Sequence, residues 1–310
     1  MLFLDSSQLK FKKAFKQYFE GMFDFILNKI EKLNKIETPN FDNKFALKFI
    51  ENMLIYDIEN ILKGNPQQLI ELHEKYESYL GNKDIVKGIN YVFNYDLFIE
   101  KAKTRYDAYE LASSLSIDCC PYCNRNYTIT VVTKKGKKIT RPQFDHFFDK
   151  ARHPLLAVSF FNLIPSCSTC NSSIKGSKLL NLTDYTHPYI DDYISDVKFT
   201  YKFDNESKNG IKAIIKTPLN SKIRNTVQLF SLEEIYNSHT NDIKDLIKIR
   251  NSFSDKYLEI LSKNLLRDVI VSKEELYRLA FGTEILQSKF IGKPFSKFKH
   301  DYLKELGIII

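Results

Sequence analysis

Two Cys-x-x-Cys pairs constrain the fold of this chain more than any other feature of its sequence. The first pair is Cys120-Pro-Tyr-Cys123 and the second is Cys167-Ser-Thr-Cys170, with 43 residues between them. Four thiolates in two such pairs can hold one tetrahedral zinc ion, which pins both ends of the intervening segment. That segment is longer than the connection in a simple zinc ribbon, so we expect it to form structure of its own. Two reduced cysteine pairs or a redox-active dithiol are the alternatives.

Length and composition predict a folded protein in a reducing compartment. The chain has 310 residues, 43% of them hydrophobic, which is enough to bury a core. We find no apolar run long enough to span a membrane, and the N-terminus reaches Asp5 too early for a secretory signal. We therefore expect a cytoplasmic protein with no membrane segment, in which clustered thiols favour metal over disulfides. The fifth cysteine, Cys119, is out of register with the pairs and is expected to be a bystander.

The positive charge of the chain is concentrated around the cysteine pairs. The formal net charge is +8, and residues 121–180 hold ten Lys or Arg but only two acidic residues, Asp145 and Asp149. An excess confined to one segment is typical of proteins that bind the phosphate backbone of nucleic acids. A solvated lysine-rich surface is the alternative. The ten cationic residues are Arg125, Lys134, Lys135, Lys137, Lys138, Arg141, Lys150, Arg152, Lys175 and Lys178.

Hydrophobic periodicity predicts an α+β fold, in which a mainly helical chain surrounds a small mixed centre. Residues 1–117 are expected to form a helical N-terminal arm, with helices beginning near Ser6 and spanning about 42–63 and 92–115. Asn65-Pro66 predicts the N-cap and first residue of another helix. We expect no clean break between the arm and the centre.

The centre, residues 118–180, is expected to contain short strands and turns. Its β-rich sequence predicts a hairpin at 127–141 with a basic tip, strands near 143–148 and 162–166, and a helix that begins at Cys170. Residues 181–310 are expected to pack on this centre.

The C-terminal region combines a second hairpin with helices. Residues 197–215 predict two strands around an Asn-Gly turn, and the chain is expected to be helical from about residue 231. Ser231 and Ser272 each precede a glutamate by three residues, which is the spacing of a capping box.

An Asp-His pair lies between the two cysteine pairs, at Asp145 and His146. Adjacent side chains of a strand point to opposite faces, so this pair is best placed where a strand ends. There the carboxylate can bind a hard divalent ion while the imidazole accepts a proton from water. This combination predicts metal-dependent cleavage of phosphodiester bonds.

The residues from Cys120 to Lys178 resemble the HNH (ββα-metal) endonuclease motif in its zinc-knuckle form. The resemblance is carried by Asp145-His146, followed by Asn162-Leu-Ile-Pro-Ser-Cys-Ser-Thr-Cys-Asn171-Ser-Ser-Ile-Lys-Gly176. It implies that His146 is the general base, that Asn162 orients the loop holding this base, and that Asp145 and Asn171 bind the catalytic ion. Asn171 departs from the histidine that many members carry. Oxygen ligands favour Mg²⁺ or Mn²⁺ at this site, beside a structural Zn²⁺.

Three cations near the motif are candidate phosphate contacts. Lys175 follows the second cysteine pair, and Arg152 and His153 follow the Asp-His pair. Ordinary surface charge is the alternative for each of them.

Segments outside the motif resemble the nuclease subunits of Septu-type anti-phage systems, some of them retron-associated. The matching segments are 186–192, 230–239 and 293–301. The resemblance implies a DNA-cleaving defence effector that works beside an ABC/SMC-like ATPase. An RNA-cleaving enzyme, for example one acting on tRNA, and a non-catalytic zinc-dependent nucleic-acid-binding module are the alternatives. We expect the histidines of these segments, His187, His239 and His300, to be structural.

Overall fold

A computed structural model describes residues 2–36, 41–100, 106–207, 209–253, 257–261, 263 and 272–309. These residues form a mainly helical α+β fold with three small antiparallel sheets, which confirms the predicted class. Within the described residues, no helix is both long and apolar enough to cross a membrane. The helices are α1 (Leu9–Leu33), α2 (Asn43–Phe49), α3 (Ile58–Lys63), α4 (Pro66–Tyr76), α5 (Lys83–Val92), α6 (Tyr95–Ile99), α7 (Ala108–Leu115), α8 (Lys222–Leu229), α9 (Leu232–Asn237), α10 (Thr240–Phe253), α11 (Tyr257–Ile260), α12 (Lys273–Phe281) and α13 (Ser296–Glu305).

Each sheet of the described chain is a single antiparallel pair of strands. Strand β1 pairs with β2, β3 with β4, and β5 with β6. Short 3₁₀ turns lie at Pro154–Leu156 and Phe160–Asn162, and a π-helical turn follows β4 at Thr169–Lys175. The strands are β1 (Val131–Val132), β2 (Lys138–Thr140), β3 (Gln143–His146), β4 (Leu163–Ser166), β5 (Lys198–Phe203) and β6 (Ile211–Lys216).

Local capping signals decide several helix ends. Asn65 caps α4 as predicted, since its side chain accepts a hydrogen bond from the backbone N–H of Gln68 and the Gln68 side chain reciprocates. Ser272 forms the predicted capping box with Glu275. The same prediction for Ser231 was wrong, because that residue adopts a left-handed conformation with φ of 48° and makes no side-chain cap.

The predicted helix over 92–115 was also wrong. Helix α5 ends at Val92, α6 spans Tyr95–Ile99, and α7 begins at Ala108, while residues 101–105 lie outside the described chain. Asn94 and Asp107 start the new helices, because their side chains accept hydrogen bonds from backbone N–H groups of the next turn. Part of the predicted C-terminal helical region, residues 264–271, also lies outside the described chain.

One continuous hydrophobic core includes residues from the arm, the centre and the C-terminal region. Helix α1 lies against the centre, where the buried Tyr18 hydroxyl donates to the Val158 carbonyl and the Phe15 ring packs edge-on against Phe160. The N-terminal segment reaches the first cysteine pair, where the Leu2 N–H donates to the Pro121 carbonyl at 2.7 Å. The motif residues are therefore held from several sides.

Asn124 connects the first cysteine pair to the C-terminal region. Its side-chain nitrogen donates to the carbonyls of Phe290 and Lys293, at 3.0 and 3.2 Å, and its side-chain oxygen accepts from the Lys297 N–H at 3.2 Å. Its own carbonyl accepts from the Phe295 N–H at 2.6 Å. The residue is buried and has a φ of 47°, a conformation that asparagine tolerates better than most residues.

Candidate active site

The four cysteines of the two pairs form one buried cluster. The Sγ atoms of Cys120, Cys123, Cys167 and Cys170 all lie within 4.8 Å of one another, and those of Cys123 and Cys167 are 4.0 Å apart. A tetrahedral zinc ion with Zn–S bonds of about 2.3 Å places its sulfur ligands about 3.8 Å apart. The cluster therefore fits the predicted structural Zn²⁺.

Donors around the cluster stabilise thiolate charge. The backbone N–H groups of Cys170 and Arg125 point at the sulfurs of Cys167 and Cys123, each at 3.4 Å, and the Asn126 side chain donates to Cys167 Sγ at 3.3 Å. Hydrogen bonds from Cys120, the other two thiols and the Cys170 N–H lower the pKa of Cys167. Cys119 lies outside the cluster, and burial raises the pKa of its thiol to about 12.

Strands β3 and β4 and the π-helical turn form a strand-strand-helix unit between the cysteine pairs. The register pairs Asp145 with Ile164 and His146 with Leu163. His146 is the last residue of β3, so the Asp-His pair lies at the end of a strand, as predicted.

Alternation along β3 separates the Asp-His side chains. Gln143 and Asp145 face the π-helical turn, where Asn171 donates to the Gln143 side-chain oxygen at 2.9 Å and Lys175 donates to Asp145 Oδ1 at 2.7 Å. The two predicted metal ligands, Asp145 and Asn171, thus lie on the same side of β3. His146 faces away from them, as strand geometry requires.

The Asp145 carboxylate is buried and has two strong partners. It is 2% exposed, and its Oδ2 accepts a 2.7 Å hydrogen bond from the Tyr122 hydroxyl, while its Oδ1 accepts from Lys175. Burial raises the pKa of Asp145, and the Lys175 ammonium opposes that rise. Tyr122 lies between Cys120 and Cys123 in the sequence, so its hydrogen bond to Asp145 connects the cysteine cluster to strand β3.

Lys175 supplies the positive charge that the buried carboxylate requires. Lys175 is 4% exposed, and its ammonium also donates to the His146 carbonyl at 2.7 Å. Asp145 and Asn171 offer the carboxylate and amide oxygens that Mg²⁺ and Mn²⁺ prefer, and an ion bound at Asp145 would take over the role of Lys175 as counter-charge. Both Asp145 oxygens are engaged by Tyr122 and Lys175, so an ion at Asp145 and Asn171 and a contact between Lys175 and phosphate both stay predictions.

His146 is held as a neutral base. Its Nε2–H donates to the Ala157 carbonyl at 2.8 Å, and the Tyr95 ring packs edge-on against the imidazole, with centroids 4.3 Å apart. Burial lowers the pKa of His146 to about 4. Because Nε2 carries the proton, the lone pair of the neutral ring is on Nδ1, which is the nitrogen able to accept a proton.

Asn162 ties together the two ends of the loop that supports this base. Its side-chain oxygen accepts from the Phe148 N–H at 2.7 Å, and its nitrogen donates to the carbonyls of Phe148 and Leu156 at 3.1 and 2.8 Å. Leu156 directly precedes Ala157, whose carbonyl orients His146. These contacts agree with the loop-orienting role that the resemblance implies for Asn162.

The remaining predicted cations occupy different environments. Arg152 is exposed after β3, whereas the His153 ring packs against His73 of α4 with centroids 4.4 Å apart. Burial lowers the pKa of His153. Lys138 forms an ion pair with the buried Asp107 at 2.5 Å, so it contributes to packing of the basic hairpin as well as to its charge.

The histidines of the flanking segments pack against aromatic rings. His187 is fully buried beside Phe147, and burial lowers its pKa to about 3. His239 packs against Phe295 and His300 against Phe290. These contacts are those expected of structural histidines.

Comparison with known proteins gives one weak similarity. No family model matches the chain, and no solved structure matches it. The chain is 25% identical to protein ea31 of Escherichia phage lambda over 195 residues, which cover 59% of this chain and 56% of the phage protein. The chain therefore matches only about half the length of this curated relative.

Proposed function

We propose that the chain is a metal-dependent HNH endonuclease that hydrolyses phosphodiester bonds of DNA. The observation that carries the proposal is the position of His146 at the end of β3, inside a strand-strand-helix unit, with Nε2 bound to the Ala157 carbonyl. This arrangement fixes the tautomer of a neutral imidazole whose other nitrogen can accept a proton. Such a group is unprotonated at neutral pH and so can act as a general base, and its low pKa makes it a weak one.

The residues around His146 have complementary roles in this proposal. His146 Nδ1 removes a proton from the attacking water, and Asn162 keeps the supporting loop in place. Asp145 and Asn171 would hold Mg²⁺ or Mn²⁺, which stabilises negative charge on the phosphate when bound. Lys175 balances the charge of the buried Asp145 carboxylate.

The zinc cluster is proposed to hold the site together rather than to react. Four thiolates fill the coordination sphere of a tetrahedral zinc ion and leave no open position for water. The hydrogen bond from the Tyr122 hydroxyl to Asp145 connects the zinc cluster to strand β3. Loss of zinc is therefore expected to disorder the end of β3 that carries the base.

Exposed cations support binding of a polyanion. Lys134, Lys135 and Lys137 are exposed at the tip of the β1–β2 hairpin, and Arg152 is exposed after the Asp-His strand. Positive charge placed this way attracts the phosphate backbone of DNA or RNA alike.

A non-catalytic zinc-dependent nucleic-acid-binding module is the second candidate. It is favoured by the engagement of both Asp145 carboxylate oxygens, one with Tyr122 and the other with Lys175. Such a module would bind nucleic acid without needing a proton acceptor at His146.

A paired nuclease assay distinguishes a nuclease from a non-catalytic binding module, and DNA from RNA as the substrate. Wild-type protein, His146→Ala and the matched control His239→Ala are incubated with supercoiled plasmid DNA or total RNA, in Mg²⁺, Mn²⁺ or a chelator. We expect ion-dependent nicking of the plasmid that only His146→Ala abolishes, with all three proteins folded by circular dichroism. Equal degradation by wild type and His146→Ala refutes the catalytic assignment, and cleavage of RNA alone changes the substrate.

The wider proposal is that the nuclease is an anti-phage effector that acts with an ABC/SMC-like ATPase. It rests on the resemblance of the flanking segments. Plaque counts on cells expressing the chain, with and without an ATPase encoded beside it, test this role. We expect protection that requires both the ATPase and His146, and protection by the His146→Ala protein would contradict it.

A further inference from the structure

A surface cavity of about 460 Å³ lies close to the candidate base. Its lining includes Tyr95, whose ring contacts the His146 imidazole, and Ala157, whose carbonyl accepts the Nε2–H. Pockets for small ligands span about 300–1,000 Å³. The cavity is thus large enough for one nucleotide, and Tyr95 and Ala157 in its wall both contact the His146 ring.

The walls of the cavity combine aromatic rings with positive charge. Tyr91 and Tyr95 both line it and both are half-buried. Lys150 also lines the cavity, and its ammonium lies over the Tyr95 ring, 4.8 Å from the centroid. Outside the lining residues, the Lys29 ammonium lies over one face of the Tyr91 ring, 4.2 Å from its centroid. Aromatic faces that stack on bases, beside lysines that attract phosphate, are the features with which proteins hold single-stranded nucleic acids.

Two residues that line the cavity form an ion pair that costs little free energy to break. Lys150 and Asp96 are 2.9 Å apart, with side chains that are 43% and 79% exposed. Exposed pairs of this kind contribute little to stability. A phosphate entering the cavity can therefore replace Asp96 as the partner of Lys150.

We propose that this cavity binds one unpaired nucleotide next to the scissile phosphate, with its base on Tyr91 and its phosphate on Lys150. The inference rests on the proposed function and narrows its substrate to single-stranded or locally unpaired nucleic acid. A base inside an uninterrupted duplex is stacked on its neighbours and must leave the stack to enter the cavity, which costs free energy. An unpaired base enters without that cost.

Binding and cleavage are measured on three oligonucleotide substrates of one sequence. These are a single strand, a duplex with one unpaired nucleotide and an uninterrupted duplex, and binding is followed by fluorescence anisotropy with the His146→Ala protein. We expect the first two substrates to bind about tenfold more tightly than the uninterrupted duplex. Tyr91→Leu should remove about tenfold of that affinity, as expected for the loss of one stacked base, whereas Tyr91→Phe should retain it.

Lys150→Gln tests the phosphate contact, and Lys248→Gln is the matched control because Lys248 also belongs to an exposed ion pair, with Asp245. The Lys248→Gln variant reports the general effect of one lost charge. We expect Lys150→Gln to weaken binding of the unpaired substrates more than Lys248→Gln does. Equal affinity for unpaired and uninterrupted substrates, or no effect of Tyr91→Leu, overturns the inference even where cleavage depends on His146. Tyr91-dependent binding without His146-dependent cleavage supports the cavity and instead refutes the proposed function.

Discussion

Replacing Asn162 with alanine removes the side chain that holds the loop between β3 and β4. The N–H and carbonyl of Phe148 then lose their partner, whereas the Leu156 carbonyl loses one hydrogen bond and keeps the Ser159 N–H at 3.2 Å. Each buried polar group left unpaired costs about 1–3 kcal/mol. For the two Phe148 groups, the low end of that range predicts that the free energy of unfolding falls by about 2 kcal/mol or more.

The same substitution should impair catalysis. The Ala157 carbonyl that fixes the His146 tautomer follows directly after Leu156, so loosening the loop misplaces the base. We expect Asn162→Ala to lose cleavage activity even at temperatures where the variant remains folded. Urea denaturation should be followed by far-ultraviolet circular dichroism, because the chain has no tryptophan to report unfolding.

Ser159→Ala is the matched control in the same loop. Ser159 is fully buried, and its hydroxyl has no hydrogen-bond partner within the described part of the chain. Removing this hydroxyl should leave stability within about 0.5 kcal/mol of wild type or raise it, because no bond is lost. Similar losses for Asn162→Ala and Ser159→Ala would refute the claim that the three hydrogen bonds hold the loop.

Four further predictions concern the metals and the base. Cys123→Ser should lower both zinc content and melting temperature, whereas Cys119→Ser should retain zinc; equal zinc loss, measured by atomic absorption, would contradict the four-thiol assignment. Activity should persist on acidification until the pH nears 4, where His146 becomes protonated, and an acid limb at about 6.5 would show an ordinary imidazole. The pKa of His146 is lower in the folded state, so the unfolded chain binds more protons between pH 6.5 and 4. The free energy of unfolding should therefore decline as the pH falls through that range, and His146→Gln should reduce the decline. Lys175→Met leaves Asp145 buried without its cation and should cost about 3–5 kcal/mol, partly restored by Mn²⁺ in thermal melts; no response to Mn²⁺ would argue against an ion at Asp145.

Motifs built from neighbouring residues were predictable from the sequence. The two cysteine pairs form one cluster, and the Asp-His pair ends a strand, as their spacing and alternation required. Asn65 likewise caps α4, because a side-chain cap depends only on residues within one turn.

Predictions made from hydrophobic periodicity or residue spacing alone were less reliable. The helix expected over 92–115 is divided where Asn94 and Asp107 cap new helices, and α6 instead places Tyr95 against His146. The capping box at Ser231 does not form, because that residue adopts a left-handed backbone conformation. Neither outcome follows from hydrophobic periodicity alone.

Several residues of the candidate site had no signal in the sequence. Tyr122 lies between two cysteines and matches no motif, and its hydrogen bond to Asp145 joins residues 23 apart in the chain. Tyr95 lies in the helical arm, outside the motif. Their roles became visible only when the chain was folded.

The sequence by itself determined the chemical groups of the protein: four thiols suited to zinc, an Asp-His pair, and two asparagines that follow it. These groups follow from residue type and local spacing, which need no tertiary information. Only the tertiary structure decided how they are charged and oriented. Burial makes His146 a weak base with a fixed tautomer and makes Asp145 dependent on Lys175, because removal from water penalises charge according to what packs around each group.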